Sequence, residues 1–436
     1  MKTVTIKTKC GDVKGEVRTD GRIFQGIPYA TAERFEYPVP VTDFGGVFDA
    51  TKKPLEFPQL NTYTDDSARF YTQEFRPGET FDYAESPLTL NIITPEGADG
   101  CPVLIYIHGG GFFTGKQSEN PCGTSFEYAK RGVILVSISY RLNVFSLYRS
   151  KNFFLYDQLT AIRWVKDNIA DYGGNPEDIT LIGQSAGALS IFQLMYTDCL
   201  KGLVKGAVLM SGAGFFPQFG DGYTPDEAKP FWDKVMKAAG CCTEAEMKKV
   251  PAETLWRAWW ETKEKDGNLH LLSPGIDGVM IPEKPARIKK HGKMLDIPLM
   301  VGVTSQDMMA AIVVFNMAKN YSVWREKRGM SPVYNYYFDR VLPGNKYKAY
   351  HASDLWYMFG NMEKCWRPWE DADYRLKDEM IDSVVRFINT GNPGWDAFSS
   401  KDRKFRHFNT DGSRYVYPRQ CYGELLLNTT FERGPF

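Results

Sequence analysis

Short apolar runs alternate along the chain with stretches whose apolar residues recur at helical spacing. Residues 103–107 and 133–139 are near-continuous apolar runs, the pattern of strands buried on both faces. Between residues 157 and 170, Leu159, Ile162, Val165 and Ile169 form one helical stripe, closed by Gly173-Gly174. The strand pattern returns at 178–182, 207–210, 298–303 and 333–338. Residues 1–50 read as short strands with turns at Gly11-Asp12 and Asp20-Gly21. Strands alternating with helices predict an α/β fold: a mostly parallel central sheet with helices on both faces.

One interval breaks this rhythm. Residues from about 214 to 290 hold amphipathic segments rich in tryptophan (Trp232, Trp256, Trp259, Trp260). They predict a helical, cap-like excursion from a single unit spanning 1–436. Packing within the excursion is the expected job of these tryptophans; the alternative puts one of them in a substrate pocket.

Composition narrows the function classes. Hydrophobic residues make up 43% of the 436 and aromatics 14%, enough for a large core. Fifty-three acidic side chains balance 53 basic ones, so net charge is zero, which argues against nucleic-acid or membrane-surface binding driven by charge. No apolar run approaches the roughly 20 residues of a membrane span. Residues 1–15 alternate like a strand and lack the apolar block of a signal peptide. The eight cysteines are scattered, with no metal-ligand spacing. Free thiols, a cytoplasmic location and no metal site follow as expectations. None of these features bears on oligomeric state.

The chemistry starts where the run at 178–182 meets Gly183-Gln184-Ser185-Ala186-Gly187. Small residues and helix formers follow at once. Strand, one-residue elbow and helix is the arrangement that holds a serine exposed on a strained bend. A seryl hydroxyl is a weak nucleophile and needs a base, an orienting acid and donors for a developing oxyanion. Donors are offered by His108-Gly109-Gly110-Gly111-Phe112, directly after the 103–107 run, where three glycines bring backbone amides close to a ligand. The Ala186 amide is a further donor. His108 itself reads as structural, since the loop amides rather than its ring would face the substrate.

The base should follow the serine, after an acid. Downstream histidines are His270, His291, His351 and His407. His270 and His291 precede any good acid, and His407 lies in a charged stretch near the C-terminus. His351 sits between the 333–338 run and the aromatic run 355–359, in a loop after a strand. Asp307 follows the 298–303 run through Thr304-Ser305-Gln306, which puts it at a carboxyl strand end, as Ser185 is. It could also cap a helix over 308–318. Asp354 and Asp339 are the rival acids, with Asp354 very close to His351 in sequence.

Read together, these segments resemble the type-B carboxylesterase family, which includes bacterial para-nitrobenzyl esterases, mammalian carboxylesterases and cholinesterases. The match runs nearly end to end: Phe24-Gln25-Gly26-Ile27-Pro28-Tyr29-Ala30, Leu88-Thr89-Leu90-Asn91-Ile92, the glycine loop, Tyr140-Arg141-Leu142-Asn143-Val144-Phe145, Asp157-Gln158-Leu159, Tyr172-Gly173-Gly174-Asn175-Pro176, the elbow, and residues 351–359. The resemblance implies an α/β-hydrolase fold, with Ser185 as nucleophile, Asp307 as acid, His351 as base, and Gly110, Gly111 and Ala186 as oxyanion donors. It implies a serine carboxylesterase acting through an acyl-enzyme on small-molecule esters of small to medium acyl or aryl type, with no cofactor.

Three departures stand out. The family's acid is usually a glutamate followed by glycine; here Asp307 is followed by Met308. Phe57 and Pro87 stand where the family has a disulfide segment. The interval from Asp307 to His351 is short for the family, which suggests a more open site that admits bulky alcohol groups. Two alternatives remain at this level: a catalytically inactive binding or adhesion module, and the same triad used on amides, lactones or thioesters.

Overall fold

The structure, a computed structural model, describes residues 2–59, 70–77, 82–215, 222–266, 274–307, 311–344, 347–412, 414–418 and 420–421. The N-terminal strands are β1 (Lys2–Thr8), β2 (Gly11–Arg18) and β3 (Gly21–Pro28), joined by two-residue turns at 9–10 and 19–20. The helix α1 (Phe70–Phe75) precedes β4 (Thr89–Thr94), β5 (Cys101–Ile107) and β6 (Ile134–Ile138). Then come α2 (Phe153–Asn168), β7 (Gly174–Gln184), α3 (Ala186–Leu194) and β8 (Gly206–Met210). The excursion supplies α4 (Pro225–Ala238) and α5 (Ala252–Asp266). The chain returns through β9 (Leu299–Thr304), α6 (Ala311–Glu326), β10 (Val333–Phe338), α7 (Leu355–Phe359), α8 (Asp371–Thr390), β11 (Phe405–Phe408) and β12 (Tyr415–Val416).

One sheet runs in the order β1-β2-β3-β4-β6-β5-β7-β8-β9-β10-β11-β12, with Phe48–Asp49 beside β2. From β6 to β11 every neighbour is parallel; the N-terminal strands and β12 are antiparallel. The expected mostly parallel sheet is therefore found, with an antiparallel flank that accommodates the short strands of residues 2–28.

Strands β6, β8, β9 and β10 are buried along their whole length, in keeping with their mostly apolar runs. Each fully buried Val, Leu or Ile there contributes roughly 1.5–3 kcal/mol. Helix α2 starts four residues before the predicted stripe. Phe153, Phe154 and Leu155 are apolar and fully buried, so the first turn gains as much from packing as the rest. Gly173, at φ 85°, ends the following 3₁₀ turn in the left-handed conformation that glycine adopts without strain.

Register determines where chemistry can gather. Ile107 pairs with Gly183, Gln184 with Met210, and Met210 with Gly302. The carboxyl ends of β5, β7, β8 and β9 therefore lie side by side, so the loops that follow them converge at one sheet edge.

In the excursion, Trp232, Trp256 and Trp259 are buried as core. Trp232 meets Tyr148 edge-on, and Trp256 stacks on Trp260 at 5.3 Å. Packing therefore accounts for most of the tryptophans. Trp259 reaches further, to Phe113 of the glycine loop at 5.6 Å.

Candidate active site

Ser185 sits between β7 and α3 at φ 54°, ψ −121°, a conformation that side-chain-bearing residues rarely adopt. Its amide donates to Met210 O of β8, and its carbonyl accepts from Leu189 N in the first turn of α3. The bend is possible because Gly187 has no side chain: a Cβ there would lie 2.0 Å from Ile107 O. The elbow thus presses the start of α3 against the end of β5.

The glycine loop after β5 lies across this elbow. A Cβ on Gly110, at φ 98°, would fall 2.0 Å from Thr114 O, so the loop's tight return closes only around glycine. The loop is clamped from below. Tyr140 Oη donates to His108 O at 2.7 Å, Asn143 N donates to Phe112 O at 2.7 Å, and Gly115 N donates to Gln59 Oε1 at 3.0 Å. His108 is buried, stacked on Tyr140 at 4.3 Å, with Nδ1 2.9 Å from Gly109 O. Burial lowers it to about 4, against the opposing effect of that hydrogen bond. A neutral, packed ring agrees with the structural role expected of it.

His351 and Asp307 meet across the sheet edge, with Nδ1 and Oδ1 2.5 Å apart. Both are buried. The Asp307 loop follows β9 and the His351 loop follows β10 at some distance in sequence, but backbone bonds lace them together: Ser305 N to Phe338 O, and Gln306 N to Ala349 O, each at 2.9 Å. The other carboxylate oxygen, Oδ2, accepts from Ser211 Oγ at 2.5 Å and from Thr304 N at 3.2 Å. Burial pushes the Asp307 carboxyl up. The facing His351 and the donors from Ser211 and Thr304 outweigh that and hold it below its usual range. The helix expected over 308–318 is described from Ala311; residues 308–310, where Asp307 would cap it, lie outside the described residues.

The rival residues are placed elsewhere. Asp354 accepts from Tyr336 Oη at 2.9 Å, and its carboxyl is pushed up by burial to about 7. Asp339 faces His407 at 3.7 Å. His291 is exposed at the end of the helix Pro285–His291, and His270 lies outside the described residues.

Several residues support the site without having been candidates for its chemistry in the sequence. Ser211 follows β8 and could be suspected only from the register that sets β8 beside β7 and β9. Gln184 occupies the variable position of the elbow, and its Nε2 lies 3.1 Å from His351 Nε2. From α1, Tyr71 Oη donates to His351 O at 3.2 Å. Glu74 of the same helix accepts from Tyr350 Oη at 2.7 Å, Trp356 Nε1 at 2.9 Å and Arg367 Nε at 2.8 Å, a buried network that fixes both flanks of the histidine loop. Arg141 and Asp157, from two of the family-like segments, form a buried bidentate pair at 2.9 and 2.7 Å beneath the loops.

A nucleophile elbow, an amide-lined glycine loop and a His–Asp pair at one sheet edge are the parts of a serine hydrolase. The sequence profile of the carboxylesterase family matches residues 2–327 and 306–420. The chain belongs to that family. It is a serine carboxylesterase, a hydrolase of carboxylic esters. Para-nitrobenzyl esterase of Bacillus subtilis is 28% identical over 474 residues, covering 92% of this chain and 93% of its own length. Acetylcholinesterase of Leptinotarsa decemlineata is 30% identical over 344 residues, but the match spans only 53% of that longer protein. Among solved structures, a thermophilic PNB esterase superposes with a TM-score of 0.79 at 24% identity, over 97% of this chain and 99% of its own, and so shares the α/β-hydrolase fold. A binding module without activity is not favoured by these relatives. Among the described residues, no helix is long and apolar enough to cross a membrane.

Proposed function

We propose that this carboxylesterase acts through Ser185 as nucleophile, His351 as general base and Asp307 as the acid that orients it. The observation that carries this is the 2.5 Å His351–Asp307 contact at the sheet edge where the Ser185 elbow ends. Ser185 Oγ attacks the ester carbonyl as His351 Nε2 takes its proton, and Asp307 stabilises the imidazolium. The negative oxygen of the tetrahedral intermediate meets the amides of Gly110, Gly111 and Ala186. Collapse expels the alcohol, which receives the proton from His351. Water then attacks the acyl-enzyme by the same route in reverse, releasing the carboxylic acid and restoring Ser185.

Substrates of small to medium acyl or aryl type fit this reading; the Bacillus subtilis relative, named for para-nitrobenzyl esters, matches over nearly its full length. Residues 1–436 then serve as one catalytic unit, with the 214–290 excursion as its cap, a role supported by the Trp259–Phe113 contact beside the glycine loop. The 44-residue separation of Asp307 and His351 supports an entrance wide enough for bulky alcohol groups. A cytoplasmic location agrees with eight free cysteines.

The deciding experiment combines Ser185→Ala with mass analysis after a serine-directed phosphonate. The wild type should gain one adduct on Ser185, and the variant should fold and lose nearly all esterase activity. Wild-type turnover in Ser185→Ala would remove the serine from the mechanism.

A further inference from the structure

The base has two ring nitrogens, and the structure gives each a partner. Nδ1 faces the Asp307 carboxylate, which can only accept, so Nδ1 carries the proton of the neutral ring. Nε2 is then an acceptor, and it is addressed by the side-chain amide of Gln184 at 3.1 Å. Among the described residues, no hydrogen bond joins Ser185 Oγ to His351. The side-chain contact to Nε2 thus comes from Gln184, the residue that precedes Ser185 in the elbow.

Gln184 is 3% exposed, and the space beside its terminal amide exists because Gly109 carries no side chain. Gln184 ends β7, and the glycine loop passes so close that a Cβ on Gly109 would lie 2.5 Å from Gln184 Oε1. The groups that titrate or carry charge around the ring come from other elements. Asp307 follows β9, Asp354 precedes α7, Tyr336 lies on β10, and Tyr71 and Glu74 on α1. Gln184 is neutral and has both a donor and an acceptor on one terminal group.

We propose that Gln184 is a positioning residue for His351, its amide serving Nε2 in both protonation states of the ring. In the resting enzyme the amide N–H donates to Nε2 and holds the ring plane toward the elbow. When the Ser185 proton moves to Nε2, that nitrogen becomes a donor. A half-turn of the terminal amide brings Oε1 to it, so the imidazolium keeps a partner after the serine oxygen has bonded to carbon. Because the amide is neutral, it orients the ring without adding a second negative charge beside Asp307. The inference rests on the Ser185–His351 reading above.

The test is a set of kcat and KM profiles from pH 5 to 9 on para-nitrophenyl butyrate for wild type, Gln184→Glu and Gln184→Met. A carboxylate at 184 stabilises the imidazolium, so the acid limb of kcat/KM should move up by about one pH unit. Methionine keeps the length but removes donor and acceptor, so kcat should fall about three- to tenfold with KM unchanged. Profiles that superimpose on wild type overturn the proposal. So does a lower kcat in Gln184→Glu without movement of the limb, since that is what a purely structural role would give. Should one variant fail to fold, the other's profile decides. Phosphonate labelling of the wild type separates the two levels: no adduct on Ser185 sinks the triad reading, whereas an adduct with unmoved profiles sinks only the role of Gln184.

Discussion

Ser211 Oγ donates to Asp307 Oδ2 at 2.5 Å, on the carboxylate oxygen that His351 does not use. With Thr304 N on the same oxygen, the Asp307 carboxylate is gripped from behind while its other oxygen faces His351. Ser211→Ala removes one charge-assisted hydrogen bond, so kcat should fall roughly 10- to 100-fold with little change in KM. Steady-state kinetics on a para-nitrophenyl ester decide; an unchanged kcat would show that the grip from behind is dispensable.

The choice of acid is tested by a pair of isosteric changes. Asp307→Asn should lower kcat by about three to four orders of magnitude, because the base loses its oriented tautomer. Asp354→Asn, whose side chain bonds to Tyr336 rather than the ring, should stay within about tenfold of wild type. If only the second variant is crippled, the acid has been assigned to the wrong residue.

Asp354 also predicts a pH dependence of stability. Burial raises its carboxyl from the usual 3.8 to about 7, so the folded protein holds a proton that the unfolded chain releases. The stability this contributes is complete below 3.8 and is lost as pH rises through about 7. An asparagine never ionises. The melting temperature of Asp354→Asn relative to wild type should therefore climb between pH 5 and pH 8, by roughly 2 °C or more. A difference that stays constant over that range contradicts the assignment.

Gly110→Ala places a methyl group 2.0 Å from Thr114 O, so the glycine loop must shift and its amides must leave their positions. Loss of one oxyanion donor corresponds to about a 10²- to 10³-fold drop in kcat. Gly132→Ala is the control: it too has positive φ, but nothing lies within 4 Å of its Cβ, and activity per folded molecule should be retained. Equal activities in the two variants would take Gly110 out of the oxyanion site.

Much of this site is legible in the chain because its parts are local. The elbow and the glycine loop are contiguous motifs whose backbones demand glycine, and the strands before them are near-unbroken apolar runs. His351 and Asp307 are marked by strand ends and chain order, which is topological information carried by the same runs. Ser211, Tyr71, Glu74 and the part played by Gln184 are not legible there. Ser211 and Gln184 act through strand register, and no local pattern says that β8 ends beside β9. Tyr71 and Glu74 reach the histidine loop from about 280 residues away in sequence, and nothing around them repeats or is spaced in a telling way. The start of α2 is not legible, because Phe153, Phe154 and Leu155 form a short apolar run that fits a buried strand and a buried helix turn alike.

The backbone bond from Gln306 N to Ala349 O closes the interval between acid and base like a drawstring. Strand β10 lies inside that interval, and its parallel register with β9 holds the starts of the two loops together as well. A change of length within the interval keeps Asp307 beside His351 only where it leaves that register and that backbone bond intact. Longer segments can accordingly be grafted only between these fixed points, in the stretches that join α6 to β10 and β10 to Ala349.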